Sequence, residues 1–355
     1  MAMLMIRTLA AGLIALGMAA PQEVVQQPFR STVNVVVAPT VVTDHDGNFV
    51  NGLQPQQFRL SDNGKPQNIK VDITWVPISL VVAVQANSTA EPVLAKIQKI
   101  APLFKDLVLG DQGEVALICF DHRIQMLQDF TGDTGKLDAA FKKLKAGSSS
   151  SRMVDAVVEA TNMLRHKPPE RRRILLLISE TRDIGSSGKV REALTGLQFE
   201  NVNVYSVNIN RVIGTLLGKP QPPRPDSIPY TARPLPAGIP PTPEAAAQVS
   251  GNATNSGNVV PLIVEIFKDV RAIFVDNPVE VFTKWTGGKE HSFLTERELE
   301  RSILSIGNEL HSEYLITYTP NNKEEGGYHE ISVSVPDQAK VKVRTRPGYW
   351  VASKF

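Results

Sequence analysis

Ile174-Leu-Leu-Leu-Ile178 is an unbroken apolar run with a charged lead-in, Arg171-Arg-Arg173, and a polar end, Ser179-Glu-Thr-Arg-Asp183. A strand with one wet face alternates apolar and polar side chains. A run without alternation therefore reads as a strand covered on both faces, as in a parallel sheet with helices on either side. Its polar end falls at the strand's carboxyl terminus, where open α/β sheets place their ligand sites. Leu80-Val-Val-Ala-Val84 is a second segment of this kind and ends in Gln85-Ala-Asn-Ser-Thr89. Two such strands need a two-sided helical cover, and the rest of the chain must supply it.

From Pro77 onward the pattern alternates strand and helix. Strands are expected over Ile78–Val84, Glu114–Phe120, Ile124–Phe130 and Val202–Ile209, in addition to the focal run. Helical periodicity marks Val93–Leu107, Lys136–Leu144, Val154–Leu164, Lys189–Leu197 and Leu299–Leu310. Right-handed crossovers then give a doubly wound α/β sheet over residues 77–310. Residues 211–258 are rich in Pro, Gly, Ala and Ser and read as a flexible insertion. The flanks read as short strands with turn signals such as Asp62-Asn-Gly64. Residues 29–76 and 311–355 are each too thin to stand alone, so the expectation is one discontinuous β-sandwich built from both ends.

Composition narrows the function classes. Basic and acidic residues number 38 and 36, a net charge of +2, which favours neither nucleic acid nor an anionic membrane as partner. The single cysteine, Cys119, excludes an intrachain disulfide framework, and its apolar surroundings mark a core residue rather than a nucleophile. Arg7 precedes the apolar segment Leu9–Ala20, too short to span a bilayer and suited to a signal peptide over residues 1–20. The expected location is secreted, periplasmic or cell envelope, with no integral membrane segment after signal removal.

The apolar strand ending in Ser-Glu-Thr-Arg-Asp, with the Gly147-Ser-Ser-Ser-Ser151 loop before a helix, resembles a von Willebrand factor A (vWA) domain. More closely, the chain resembles the VWFA-related family described from Acidobacteria. Val41-Val-Thr-Asp44, Asp62-Asn-Gly-Lys-Pro-Gln67, Thr286-Gly-Gly288 and Arg344-Thr-Arg-Pro-Gly-Tyr349 match in order along nearly the whole mature chain. The resemblance implies a Rossmann-like sheet and a Mg²⁺ site built from Asp-x-Ser-x-Ser, a Thr and an Asp. Here those positions fall on Gln85, Asn87, Thr89, Ser151 and Glu180. A neutral amide at position 85 removes a formal charge from a site that must strip water from Mg²⁺. The reading is a degenerate metal-ion-dependent adhesion site with no cofactor. If a metal does bind, Glu180, Thr89 and Ser151 are its ligands.

Other constellations are read as structural. Asp44-His-Asp-Gly47 is a turn, Asp121-His-Arg123 an exposed turn between strands, and Arg171-Arg-Arg173 a solvated face. Asp183 is either an alternative anion near the metal positions or a surface partner of the adjacent Arg182. The leading expectation is an exported, non-enzymatic module that binds a protein partner through its sheet-edge loops. The alternatives are a Mg²⁺-dependent adhesion module using the same loops, and a serine hydrolase with Ser179 or a loop serine as nucleophile. No His is spaced to serve that nucleophile.

Overall fold

The computed structural model describes residues 35–72, 76–104, 112–209, 277–338 and 340–351. The signal segment 1–20 and the insertion 211–258 lie outside them. The described chain first forms four short strands, β1 (Val36–Thr43), β2 (Arg59–Asp62), β3 (Lys65–Pro66) and β4 (Ile69–Asp72). Then come β5 (Ile78–Gln85), α1 (Glu91–Ile97), β6 (Glu114–Phe120), β7 (Ile124–Thr131) and α2 (Thr134–Phe141). They are followed by α3 (Met153–Arg165), β8 (Arg172–Ser179), α4 (Val190–Phe199) and β9 (Val202–Ile209). Next are α5 (Pro278–Thr286), β10 (Glu290–Phe293) and α6 (Glu296–Ser312). The chain closes with β11 (Tyr314–Tyr318), β12 (Gly327–Ser334), β13 (Lys342–Arg344) and β14 (Gly348–Val351).

Six strands make the central sheet in the order β10-β9-β8-β5-β6-β7, parallel except for the β6–β7 pair. The apolar run of β8 has its explanation here. Ile174, Leu176 and Ile178 pack on one face with α1, α2 and α6, whereas Leu175 and Leu177 pack on the other with α3, α4 and α5. Each such side chain, fully buried, contributes about 1.5–3 kcal/mol. β5 divides in the same way, with Leu80, Val82 and Val84 on the first face and Val81 and Ala83 on the second.

The helices follow their caps. Thr295 and Glu298 form a capping box at the start of α6, and Leu299, Ile303, Ile306 and Leu310 recur on its buried face. Asn277 caps α5 by accepting from the Glu280 amide, Pro278 follows at its first position, and Gly287 ends it at φ +86°. α1 ends at Ile97, short of the expected helix to Leu107, and turns carry the chain on to Phe104. Pro102 lacks the amide that a continuing helix needs. α5, β10 and β14 were not legible in the sequence pattern. β10 has a single apolar residue among those buried, Phe293, and exists because the edge of β9 accepts it in parallel register.

The remaining strands form two four-stranded sheets, β13-β1-β11-β4 and β14-β12-β2-β3. Both combine strands from the two ends of the chain. β1 pairs antiparallel with β11 and β13, and β2 pairs antiparallel with β12. Val36, Phe58, Leu60, Ile316, Ile331 and Tyr349 belong to one apolar cluster that draws on both sheets.

The Arg171–Arg173 triplet is not a solvated face. Arg171 donates to Ile78 O (2.9 Å) and Gln112 O (2.7 Å), and Arg173 donates to Glu200 O (3.0 Å) and Lys167 O (2.7 Å). Arg172 bonds Leu310 O at the carboxyl end of α6 and pairs with buried Glu313. The planar, multi-donor guanidinium suits this role, because one side chain satisfies several strand-end and helix-end carbonyls.

Candidate functional site

β5 and β8 lie side by side in parallel register, Val84 opposite Ile178, so Gln85 and Glu180 emerge together at the carboxyl edge of the sheet. Gln85 is fully buried and uses its whole amide. Its Nε2 donates to Asn87 Oδ1 (2.9 Å) and to Glu180 Oε2 (3.3 Å), while its Oε1 accepts from the Glu180 backbone amide (2.9 Å). Asn87 Oδ1 also receives Thr89 Oγ1 (2.9 Å) and the Ala90 amide (3.1 Å). Gln85, Asn87, Thr89 and Glu180 therefore form one hydrogen-bonded group, with Thr89 at its exposed side. Ser151 stands apart from these bonds. Its backbone bridges Ile184 in both directions (2.9 and 2.8 Å), and its hydroxyl is buried without a partner.

Three carboxylates that the sequence did not single out as organisers hold the loops around this group. Asp121 is buried, and it accepts from the Ser148 and Arg123 amides (2.9 Å each) and lies 2.9 Å from His122 Nδ1. Burial alone would raise its pKa, but these donors hold it below the usual carboxylate value. The expected exposed turn is thus a buried acid with an oriented imidazole. A Cβ at Gly147 would come within 1.9 Å of Asp121 Oδ2, so only glycine lets the loop close on that carboxylate. Asp155 accepts from the Ser187 and Gly188 amides (3.0 and 2.8 Å). Asp183 does not pair with Arg182 on the surface. It turns inward to the Val154 amide (3.0 Å) and the Ser186 hydroxyl (2.6 Å), filling the amino terminus of α3 with a negative charge. Such long-range partners carry no signature in local spacing.

The donor set does not fit a hard divalent cation. Mg²⁺ requires free oxygen lone pairs in near-octahedral array. Asn87 Oδ1 already takes three donors, and an N–H group lies between it and Glu180 Oε2. Among the described residues of this edge, no serine is bonded to a histidine as nucleophile to base in a triad. Ser179 Oγ is buried at 3.5 Å from Met153 Sδ. His122 meets both Asp121 and the Ser148 hydroxyl (3.0 Å) through the same Nδ1, whereas a charge-relay triad needs opposite ring nitrogens. Burial, then the charge of Asp121, pushes the Cys119 thiol up to about 11, which keeps it protonated.

No family model matches the chain, and no curated protein matches it. Solved structures similar to parts of it include the conserved hypothetical protein BatB from Bacteroides thetaiotaomicron. That likeness has 15% identity and TM-score 0.33 over 37% of this chain and 66% of that one. An aerotolerance-related membrane protein from Bacteroides fragilis, in a form with multiple mutations to serines, is 12% identical. It has TM-score 0.37 over 65% of this chain and 98% of its own. Proximal thread matrix protein 1 from the mussel byssus is 13% identical, with TM-score 0.35 over 42% and 41%. The likenesses are partial and remote. Among the described residues no helix is long and apolar enough to cross a membrane.

Proposed function

We propose that the chain is an exported, non-enzymatic vWA-like module that binds a protein partner through the loops at the carboxyl edge of its central sheet, with a degenerate metal-ion-dependent adhesion site. The observation that carries this reading is the division of labour at that edge. The carboxylates of Asp121, Asp155 and Asp183 turn inward onto backbone amides, which makes the loops rigid. The outward surface is left to exposed Arg123, Arg182 and Ile184, the last 47% exposed. Loops fixed by a rigid scaffold are where binding surfaces are commonly built. Exposed guanidinium groups and an exposed apolar side chain on these loops suit an acidic partner with an apolar anchor. The two terminal sheets, read as one β-sandwich, serve as the platform.

The Mg²⁺-dependent alternative needs Glu180, Thr89 and Ser151 to open toward a cation, against the hydrogen bonds that now engage Glu180 and Thr89. The hydrolase alternative needs a base beside Ser179, where Met153 stands instead.

Site-specific photocrosslinking tests the face. A photoreactive residue at Ile184 in the exported full chain is expected to give a discrete adduct that disappears in Arg123→Glu/Arg182→Glu. A probe at Glu170, at the opposite ends of the strands, is expected to give none. Equal labelling from both positions, or none from Ile184, would refute the reading.

A further inference from the structure

The polar group at the sheet edge contains a set of oxygens arranged around a nitrogen. Asn87 Oδ1 and Glu180 Oε2 face the same Gln85 Nε2, and the Thr89 hydroxyl is bonded to that Asn87 oxygen. Oxygens gathered from the turn after one strand and from the end of its neighbour are the kind of shell that a hard cation organises. Here the centre is a carboxamide, whose two N–H groups present partial positive charge to both oxygens. The same side chain accepts from the Glu180 amide through Oε1, so it fixes Glu180 at backbone and side chain together. A cation binds reversibly, whereas a side chain tethered to β5 is always present.

We infer that the Gln85 carboxamide is an internal stand-in for a divalent cation: it holds Asn87 and Glu180 as an ion would, and so makes the order of this edge independent of metal. The inference rests on reading the edge as the binding face, yet it goes further, because it says that the face is preformed at any cation concentration. It also identifies Gln85 as the residue that decides this. Gln85→Glu preserves length and shape but replaces the central N–H donor by an oxygen, 2.9 Å from Asn87 Oδ1 and 3.3 Å from Glu180 Oε2 at the present geometry. Two neighbouring carboxylates in a buried site cannot both stay ionised without a counterion. The variant should therefore recruit a divalent cation as that counterion.

Mn²⁺ binding, read by electron paramagnetic resonance, and thermal melting with Mn²⁺ or EDTA test the inference on the full chain. Wild type is expected to bind no Mn²⁺ at micromolar concentration and to melt identically in both solutions. Gln85→Glu is expected to melt lower in EDTA, to recover with Mn²⁺, and to bind the ion about tenfold or more tightly than wild type. Adding Glu180→Gln should abolish both effects. Micromolar Mn²⁺ binding by wild type that is lost in Glu180→Ala would overturn the inference. If Gln85→Glu does not fold in either solution, Gln85→Asp carries the same test, and metal dependence in neither carboxylate variant overturns it too. Crosslinking from Ile184 tests the face and metal titration tests the amide, so the two readings fail separately.

Discussion

Asp62 is engaged by four side chains among the described residues of the terminal sheets and their turns. Its fully buried carboxylate accepts from Tyr349 Oη (2.7 Å), Tyr318 Oη (2.9 Å) and Asn322 Nδ2 (2.9 Å), and lies 2.7 Å from His329 Nδ1. These partners come from β11, β12, β14 and the turn after β11, so one anion ties the two sheets together. Burial raises its pKa, but His329 and the other donors outweigh it and hold the carboxyl below its ordinary value. The folded value thus lies below the unfolded one, about 3.9. The stabilisation is then fully present above that range and is lost as pH falls through the folded pKa. Asp62→Asn is expected to cost ~1–3 kcal/mol at pH 7, because several buried donors lose their charged acceptor. In urea melts from pH 7 to pH 3, the gap between wild type and variant should narrow below about pH 4. A gap that stays constant across that range would count against the assignment.

At the scale of elements, the turn between α5 and β10 shows how little room the central sheet leaves. Gly288 presses against β9, and a Cβ there would lie 1.8 Å from Val204 O and 2.7 Å from Val204 C. The contact is with backbone, which cannot rotate away. Gly288→Ala is accordingly expected to cost ~1–3 kcal/mol as α5 and β10 shift off β9, read as a lower urea midpoint at unchanged slope. Wild-type stability would show that the turn is loose. The Thr286-Gly-Gly288 motif was visible in the sequence, but its reason was not: Gly287 supplies a positive φ and Gly288 a close approach. β8 is the opposite case. An apolar run that feeds two faces at once can be read from the sequence, because the demand for cover is carried by the residues themselves.

At the scale of the whole molecule, residues 35–72 depend on residues 314–351. β11 and β13 are the neighbours of β1 on either side, and β12 is a neighbour of β2. α6 runs almost directly into β11, and Glu309 and Glu313 near that junction pair with Arg344 of β13 and Arg172 of β8. Truncation after Ser312 is therefore expected to remove amide-exchange protection from β1 and β2, while protection in β5 and β8 persists. Native protection in β1 of the truncated chain would show that the amino-terminal strands hold together by other means.

The sequence alone determined the parts whose physics is local or periodic. These are the doubly covered strands, the helical period of α6 and the turn at Asp62-Asn-Gly64. Only the tertiary structure decided what those residues do to one another. It sent Asp183 into the amino terminus of α3 and Asp121 under the Gly147 loop, and it turned the Arg171–Arg173 triplet from a solvated face into ties between strands and helix ends. It also set the Gln85 amide between Asn87 and Glu180, donating to both. The reason is that hydrogen bonds and ion pairs are satisfied by proximity, and proximity across many residues of chain leaves no mark in spacing.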